Sequence, residues 1–240
     1  MGEEILTGGN MTPVVRIGES VRRSTGPWTP TIHRMLEHLR SRGIEWVPAP
    51  HGLDEAGREV LDFVPGDVPG YPMPPWVWAD SILEDAAHRL RQLHDASVDF
   101  DGTGALWRLP SHEPAEVLCH NDFAQYNFVF TDEAITGVID FDTASPGPRI
   151  WDLAYLAHRL VPLNDRDRVG DHPAERRRRL ALLLDAYGAE FDASETIAMS
   201  SRASSSVQIW PSMPASTAPT RLLSKLARFS TGQSPRGDSR

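Results

Sequence analysis

The sequence predicts an α+β chain in two lobes, a small N-terminal sheet lobe followed by a mainly helical C-terminal lobe. Three observations carry that expectation. Short β-rich runs divided by Gly-containing turns fill residues 1–66, whereas helical periodicity takes over from Asp80. The Pro-rich segment Pro69-Gly70-Tyr71-Pro72-Met73-Pro74-Pro75 lies between them as an extended, semi-rigid connector. Past Glu190 Ser, Thr, Ala, Pro and Gly dominate, and apolar periodicity is lost apart from Leu222, Leu223 and Leu226. The expected divisions are an N-terminal lobe at 1–66, a linker at 67–75, a C-terminal lobe at 76–189 and a low-complexity, disordered tail at 190–240.

Glu3 to Leu6, Val14 to Ile17 and Ser20 to Arg23 read as the first three strands, with Gly18-Glu19 as a turn. Thr29 as N-cap and Pro30 at the first position start a helix, along which Ile32, Met35, Leu36 and Leu39 recur at helical spacing until Gly43. His51 to Asp54 and Arg58 to Val64 complete the sheet, and Pro65-Gly66 marks a hinge. Asp80 to Asp95 is a long helix with Ile82, Ala86, Leu90 and Leu93 on one stripe. Val98 to Glu116 is irregular, and further helices are expected from Ile150 to Val161 and from Pro173 to Tyr187. The Arg176–Arg179 run is most simply a solvated face, with an anion site as the other reading.

The chemistry concentrates between Cys119 and Asp142. A polar turn holds His120, Asn121 and Asp122, and a hairpin follows, Asn127 to Phe130 returning as Ile135 to Ile139 through Thr131-Asp132-Glu133. A hairpin brings its open ends together, so Asn127 and Asp140 converge beside the loop that carries Asp122. Phosphoryl transfer needs a positioned hydroxyl and a cation on the phosphate oxygens, and Mg²⁺ prefers carboxylate and amide oxygens. Asp122 is the candidate acceptor of the hydroxyl proton; Asn127 and Asp140 are the candidate metal ligands. The spacing H-x-D-x-x-x-x-N followed by a strand ending in Asp echoes the kinase catalytic loop. Asp142 reads equally as a second metal ligand or a turn residue, and Cys119 as a small buried hydrophobe.

His120-Asn121-Asp122 through Asn127, then Ile139-Asp140-Phe141-Asp142, Gly147 and Trp151-Asp152-Leu153-Ala154-Tyr155, resembles the aminoglycoside phosphotransferase family of kinase-like small-molecule phosphotransferases. The resemblance is strongest from Cys119 to Tyr155 and fades towards Leu6 and Gly188. It implies a protein-kinase-like fold with ATP and Mg²⁺ in the interlobe cleft. It also implies that His120 and Asp152 brace the catalytic loop, that Gly8, Gly9 and Asn10 lie over the phosphates, and that Phe63 and Val64 meet the adenine edge. The family carries a phosphate-binding Lys on the third strand. Here Lys225 is the only lysine of the chain, and Arg22 best matches the position, though Arg and Lys are not interchangeable. The family's helix Glu is also missing: Glu37 falls opposite the apolar stripe, and His33 is the other candidate partner. The family's C-terminal helices are not recognisable either, so the C-terminus reads as truncated or atypical, a disordered tail or the product of a reading-frame shift.

Net charge is −9, which argues against a nucleic-acid binder and favours a cationic acceptor. A single cysteine excludes a disulfide framework, no signal-peptide pattern opens the chain, and no apolar run approaches the ~20 residues of a membrane span. A cytoplasmic, ATP-dependent kinase is expected, acting on a hydroxyl of a small amino sugar, aminoglycoside or amino alcohol; oligomeric state is left open. Two rivals stand beside it. One is a catalytically weak or inactive binding protein, suggested by the missing Lys and Glu; the other is a metal-dependent phosphoester hydrolase built on His120, Asp122 and Asp140.

Overall fold

The structure, a computed structural model, describes residues 2–6, 14–161, 172–188 and 191–207. Five short strands form the N-terminal sheet: β1 (Glu4–Leu6), β2 (Val14–Ile17), β3 (Ser20–Arg23), β4 (Pro50–Leu53) and β5 (Glu59–Asp62), in the order β1-β2-β3-β5-β4 with every neighbour antiparallel. The two-residue period of β3 decides which cations enter the cleft. Val21 packs against the core, and Arg23, two residues on, faces the same way. Arg22 points to the other face, where it donates to Ser20 Oγ (2.7 Å) and lies 3.7 Å from Asp54.

Helix α1 (Thr29–Ser41) lies between β3 and β4 in sequence and buries Ile32, Met35, Leu36 and Leu39, the stripe its spacing predicts. Thr29 is not its N-cap. The Thr29 hydroxyl accepts a hydrogen bond from the Gly26 backbone N–H (2.9 Å) and closes the preceding turn, so Trp28 occupies the cap position without a side-chain cap.

The C-terminal lobe is built on α2 (Asp80–Ser97), α3 (Arg149–Leu160), α4 (Pro173–Tyr187) and α5 (Ala193–Val207). Strand β6 (Val117–Cys119) pairs with β9 (Ser145–Gly147), and β7 (Phe128–Thr131) with β8 (Ala134–Val138). The β7–β8 turn puts Asp132 and Glu133 at φ 50° and 60°, the two left-handed positions that a tight hairpin with matching twist requires. The Arg176–Arg179 run is not wholly a solvated face. Arg176 and Arg179 are buried, and Arg179 donates to the carbonyls of Trp78 (2.8 Å) and Leu160 (2.9 Å) and to Asp80 (2.9 Å), joining α4 to the start of α2 and the end of α3.

The stretch read as the beginning of a disordered tail is helical over Ala193–Val207. Asp192 and Glu195 form a capping box, each side chain accepting from the other's backbone N–H (2.8 and 3.1 Å). The buried face combines small residues, Thr196, Ser200 and Ala203, with Ile197, while Met199 packs alongside, and the helix lies against α3. Small residues let helices approach closely without the bulky apolar period that signals a helix in sequence. Among the described residues no helix is long and apolar enough to cross a membrane.

The hinge is clipped to the C-terminal lobe. Asp67 and Phe130 exchange backbone hydrogen bonds, both 2.8 Å, and Gly66 beside them has φ +135°. A Cβ at Gly66 would lie 2.5 Å from the Phe130 carbonyl oxygen and 2.7 Å from Val129 Cγ1. Gly66→Ala combines a forbidden φ with a backbone clash and is expected to lower unfolding stability by at least about 2 kcal/mol, read by urea denaturation. An unchanged midpoint would mean that the hinge does not need this close approach.

Candidate active site

The loop after β6 is held from three sides. Asp152, fully buried on α3, accepts hydrogen bonds from the backbone N–H groups of His120 (2.6 Å) and Asn121 (2.8 Å). Asn121 sits at φ 65°, tolerable for Asn, and its amide donates to the Thr143 carbonyl (2.7 Å) and Ser145 Oγ (2.9 Å). Thr143 Oγ1 returns a bond to the His120 carbonyl (2.9 Å). His120 Nε2 lies 3.1 Å from the Ile139 carbonyl, which can only accept, so Nε2 carries the proton; Nδ1 accepts from the Asp122 N–H (3.3 Å). Its ring packs between Phe123 and Phe141. His120 therefore spans the loop and the strand end and has no ring nitrogen left for chemistry.

The hairpin's open end lies against this loop. Ile139 N–H donates to the Asn127 carbonyl (2.9 Å), which sets Asn127 beside the residue that precedes Asp140. Asn127 Nδ2 donates to the Asp122 carbonyl (2.9 Å) and to Asp122 Oδ2 (3.0 Å). The amide nitrogen is thus committed to Asp122, and Oδ1 is the Asn127 atom suited to a cation. Asp140 turns the chain in the left-handed region (φ 66°, ψ 57°) and keeps a half-exposed carboxylate. Loop, hairpin and Asp140 form one contiguous polar constellation.

Arg23 reaches it from the sheet lobe. Nη1 contacts Asp140 Oδ1 (3.0 Å), Nη2 contacts Asp142 Oδ1 (2.6 Å), and Nε is paired with Glu59 of β5. Burial works against the Arg23 charge, yet Asp142, Glu59 and Asp140 together hold its pKa above the ordinary value. His33 of α1 binds the other oxygen of Glu59 (3.0 Å), so His33 pairs with a β5 carboxylate and, through it, with Arg23, while Glu37 is exposed. Asp142 also meets Arg108 (3.2 Å); burial raises its pKa, against the pull of Arg23. Arg22, the expected phosphate-binding cation, is turned away by the strand period, and Arg23 takes the cleft position.

Asp122 is saturated with donors. Tyr126 and Tyr155 both give their phenolic protons to Oδ1, the latter at 2.6 Å, and Asn127 holds Oδ2. Burial pushes the Asp122 carboxyl up, and the two phenol hydrogen bonds pull it back without cancelling the rise. The Arg159 guanidinium lies 4.6 Å from the Tyr126 ring centroid and 5.8 Å from that of Tyr155. Asp152, Tyr155 and Arg159 follow one another at i, i+3 and i+7 and so line one face of α3. That spacing is visible in the sequence, and it is the signal by which Tyr155 and Arg159 could have been found once Asp152 was placed.

At the hinge, the Phe63 N–H is used by the Glu19 carbonyl (2.9 Å), and the Arg16 guanidinium covers the Phe63 ring at 3.7 Å. Val64 is half-buried and sits against Gly137 of β8. Gly8, Gly9 and Asn10 lie outside the described residues. A separate buried group, His94, Cys119 and Asp152, has metal-like proximity, but each member is engaged: His94 Nδ1 with the Tyr187 hydroxyl (2.7 Å), Cys119 Sγ with the Pro148 carbonyl (3.5 Å), and Asp152 with the loop. Burial, with Asp152 adding to it, holds the Cys119 thiol well above its ordinary pKa.

The sequence profile of the phosphotransferase enzyme family (APH) matches residues 103–192, which span the whole constellation. The chain is 34% identical over 200 residues to the trifolitoxin immunity protein of Rhizobium leguminosarum bv. trifolii, covering 78% of this chain and 75% of that protein. Among solved structures it is similar to an amicoumacin kinase in complex with AMP-PNP, Ca²⁺ and Ami (13% identity, TM-score 0.62, 97% of this chain and 89% of that one). It is also similar to the ADP-bound aminoglycoside phosphotransferase APH(2'')-Ib (16% identity, TM-score 0.57, 95% and 92%). The fold is accordingly the protein-kinase-like α+β fold, and the chain belongs to the aminoglycoside phosphotransferase family of small-molecule phosphotransferases.

Proposed function

We propose that this protein transfers the γ-phosphate of ATP to a hydroxyl of a small molecule, in the class of amino sugars, aminoglycosides, amino alcohols or comparable toxic compounds. The observation that carries the reading is the convergence of Asp122, Asn127 and Asp140 at one hairpin end with a cation, Arg23, already drawn into the same acidic group. Family membership supports it, as does the similarity to a kinase holding a triphosphate analogue and a divalent ion. The similarity to an immunity protein supports a toxin as acceptor.

The residues fit Mg²⁺ and a nucleotide. The donors are amide and carboxylate oxygens, the set a hard cation takes, and the guanidinium between Asp140 and Asp142 reports a local field that attracts cations. Asn127 and Asp140 would hold the metal, with Asp142 beside them. When bound, Mg²⁺ neutralises charge on the phosphate oxygens during transfer. Arg23 would exchange its carboxylates for nucleotide phosphate, a bidentate partner that suits a guanidinium. Phe63 and Val64 would border the adenine. Asp122 orients the acceptor hydroxyl and takes its proton, and for that a phenol must yield its place on Oδ1. His120 and Asp152 keep the loop in register throughout.

Asp122→Ala is expected to cut transfer by about 10³-fold and leave ATP binding unchanged, read by phosphate-transfer assay and by Mg²⁺-dependent thermal shift with ATP against GTP. An active variant would remove the assigned role. Arg23→Ala should weaken ATP binding by about 10-fold or more, whereas Arg22→Ala should change it by less than about twofold; the reverse ranking would return the role to Arg22.

The phenol bonds favour ionised Asp122, so deleting one raises its pKa. The base works deprotonated, so Tyr155→Phe should move the acidic limb of the kcat profile upward by about 1 pH unit. A limb that stays in place would show that Asp122 does not titrate in the rate. A second reading, a kinase-like binding protein with little turnover, is favoured by the saturation of Asp122 and by Arg in place of Lys. Binding of Mg²⁺ and ATP without turnover on any amino alcohol or sugar would select it.

A further inference from the structure

Arg159 differs from the other cleft and core cations described above. Arg23 meets three carboxylates, and Arg179 meets two carbonyls and a carboxylate. Among the described residues, Arg159 meets the faces of Tyr126 and Tyr155 instead; its Nε, like those of Arg23 and Arg179, is buried without a hydrogen-bond partner. A guanidinium is always charged, and the half-buried one of Arg159 has part of its charge withdrawn from water without an acceptor among the described residues. Burial opposes the charge, yet the surrounding Tyr126, Tyr155, Tyr71 and Asp122 hold its pKa above the ordinary value, so the site keeps a cation.

Its place is set by α3. Four residues separate Tyr155 from Arg159, about 6 Å of helix rise, and Tyr155 donates to Asp122. Tyr126 stands between the two charges, with its hydroxyl on Asp122 and its ring under Arg159. Tyr71, which also acts on Arg159, accepts from Gln125 Nε2 (3.2 Å). An anion on the outer side of Arg159 would be one turn of helix from the base and screened from it by the phenols.

We propose that Arg159 is the anion-binding group of the acceptor subsite, selecting a hydroxyl compound that carries a carboxylate close to the hydroxyl. This rests on the proposed transfer reaction and narrows its acceptor. The net charge of −9 attracts cations at long range, but that field is screened beyond about 8 Å, and within contact range the guanidinium decides. An acceptor with an ammonium elsewhere satisfies both.

The test uses the full chain with Mg²⁺ and AMP-PNP and the matched probes glycerate and glyceramide, with ethanolamine as the cationic comparison. Dissociation constants are measured by calorimetry for the wild type, Arg159→Met and Arg159→Lys, each first checked for a native circular dichroism spectrum and melting temperature. Glycerate should bind at least about 10-fold tighter than glyceramide to the wild type. The preference should collapse in Arg159→Met and return in part in Arg159→Lys, with AMP-PNP affinity unchanged in all three. A merely structural role would weaken both probes alike. Equal binding of the two probes, tighter binding of ethanolamine, or a preference that survives Arg159→Met would overturn the proposal. Should AMP-PNP and Mg²⁺ fail to bind, the transfer reading fails by itself, and the glycerate arm, run without nucleotide, still decides the role of Arg159.

Discussion

The Asp152 carboxylate is the constraint on which the rest of the site depends. It is buried to zero exposure, and both oxygens are given to backbone N–H groups of the loop that carries Asp122, with His94 Nε2 3.4 Å away. A buried carboxylate costs several kcal/mol unless its lone pairs are met, so the loop and α3 hold each other in one relative position. His94 ties that pair to α4 through the Tyr187 hydroxyl. Once α3 is fixed against the loop, Tyr155 and Arg159 have no freedom of register, and the surroundings of Asp122 follow.

The C-terminal lobe was largely legible in the sequence because its helices carry long apolar stripes and its hairpin carries turn chemistry. Asp122, Asn127 and Asp140 were legible because they share one short stretch, where local geometry alone brings them together. The sheet-lobe contribution was not. Arg22 and Arg23 are neighbours, and only the strand's facing, set by how Val21 packs, decides between them. Glu59 lies on β5 and becomes Arg23's partner through strand pairing. His33 was a candidate partner, but the bridging carboxylate that joins it to Arg23 could not be read from either helix or strand by itself.

Helix α5 was missed for a different reason. Three of its buried residues, Thr196, Ser200 and Ala203, are too small to raise the apolar pattern, and Ile197 and Met199 alone do not make a stripe. Its start signal, Asp192 and Glu195, was present but preceded no hydrophobic run. The cap alone spoke for a helix, in a Ser-rich stretch of middling propensity. In place of the strand cation and helix acid that the resemblance implied, the structure joins a strand Arg, a strand Glu and a helix His.

The Arg23 tie has one more consequence. Asp140 and Asp142 are bridged by a positive group that belongs to the sheet lobe. Under the proposed reaction, a metal ion would have to displace this guanidinium, so its apparent affinity would reflect a difference between two competitors rather than the full attraction of two bare carboxylates. The same bridge would couple occupancy to the contact between sheet and hairpin: a guanidinium released from the acids would no longer join them, and nucleotide phosphate would take over that task in the proposed reaction. Until such an ion comes, one guanidinium stands among three carboxylates, those of Glu59, Asp140 and Asp142.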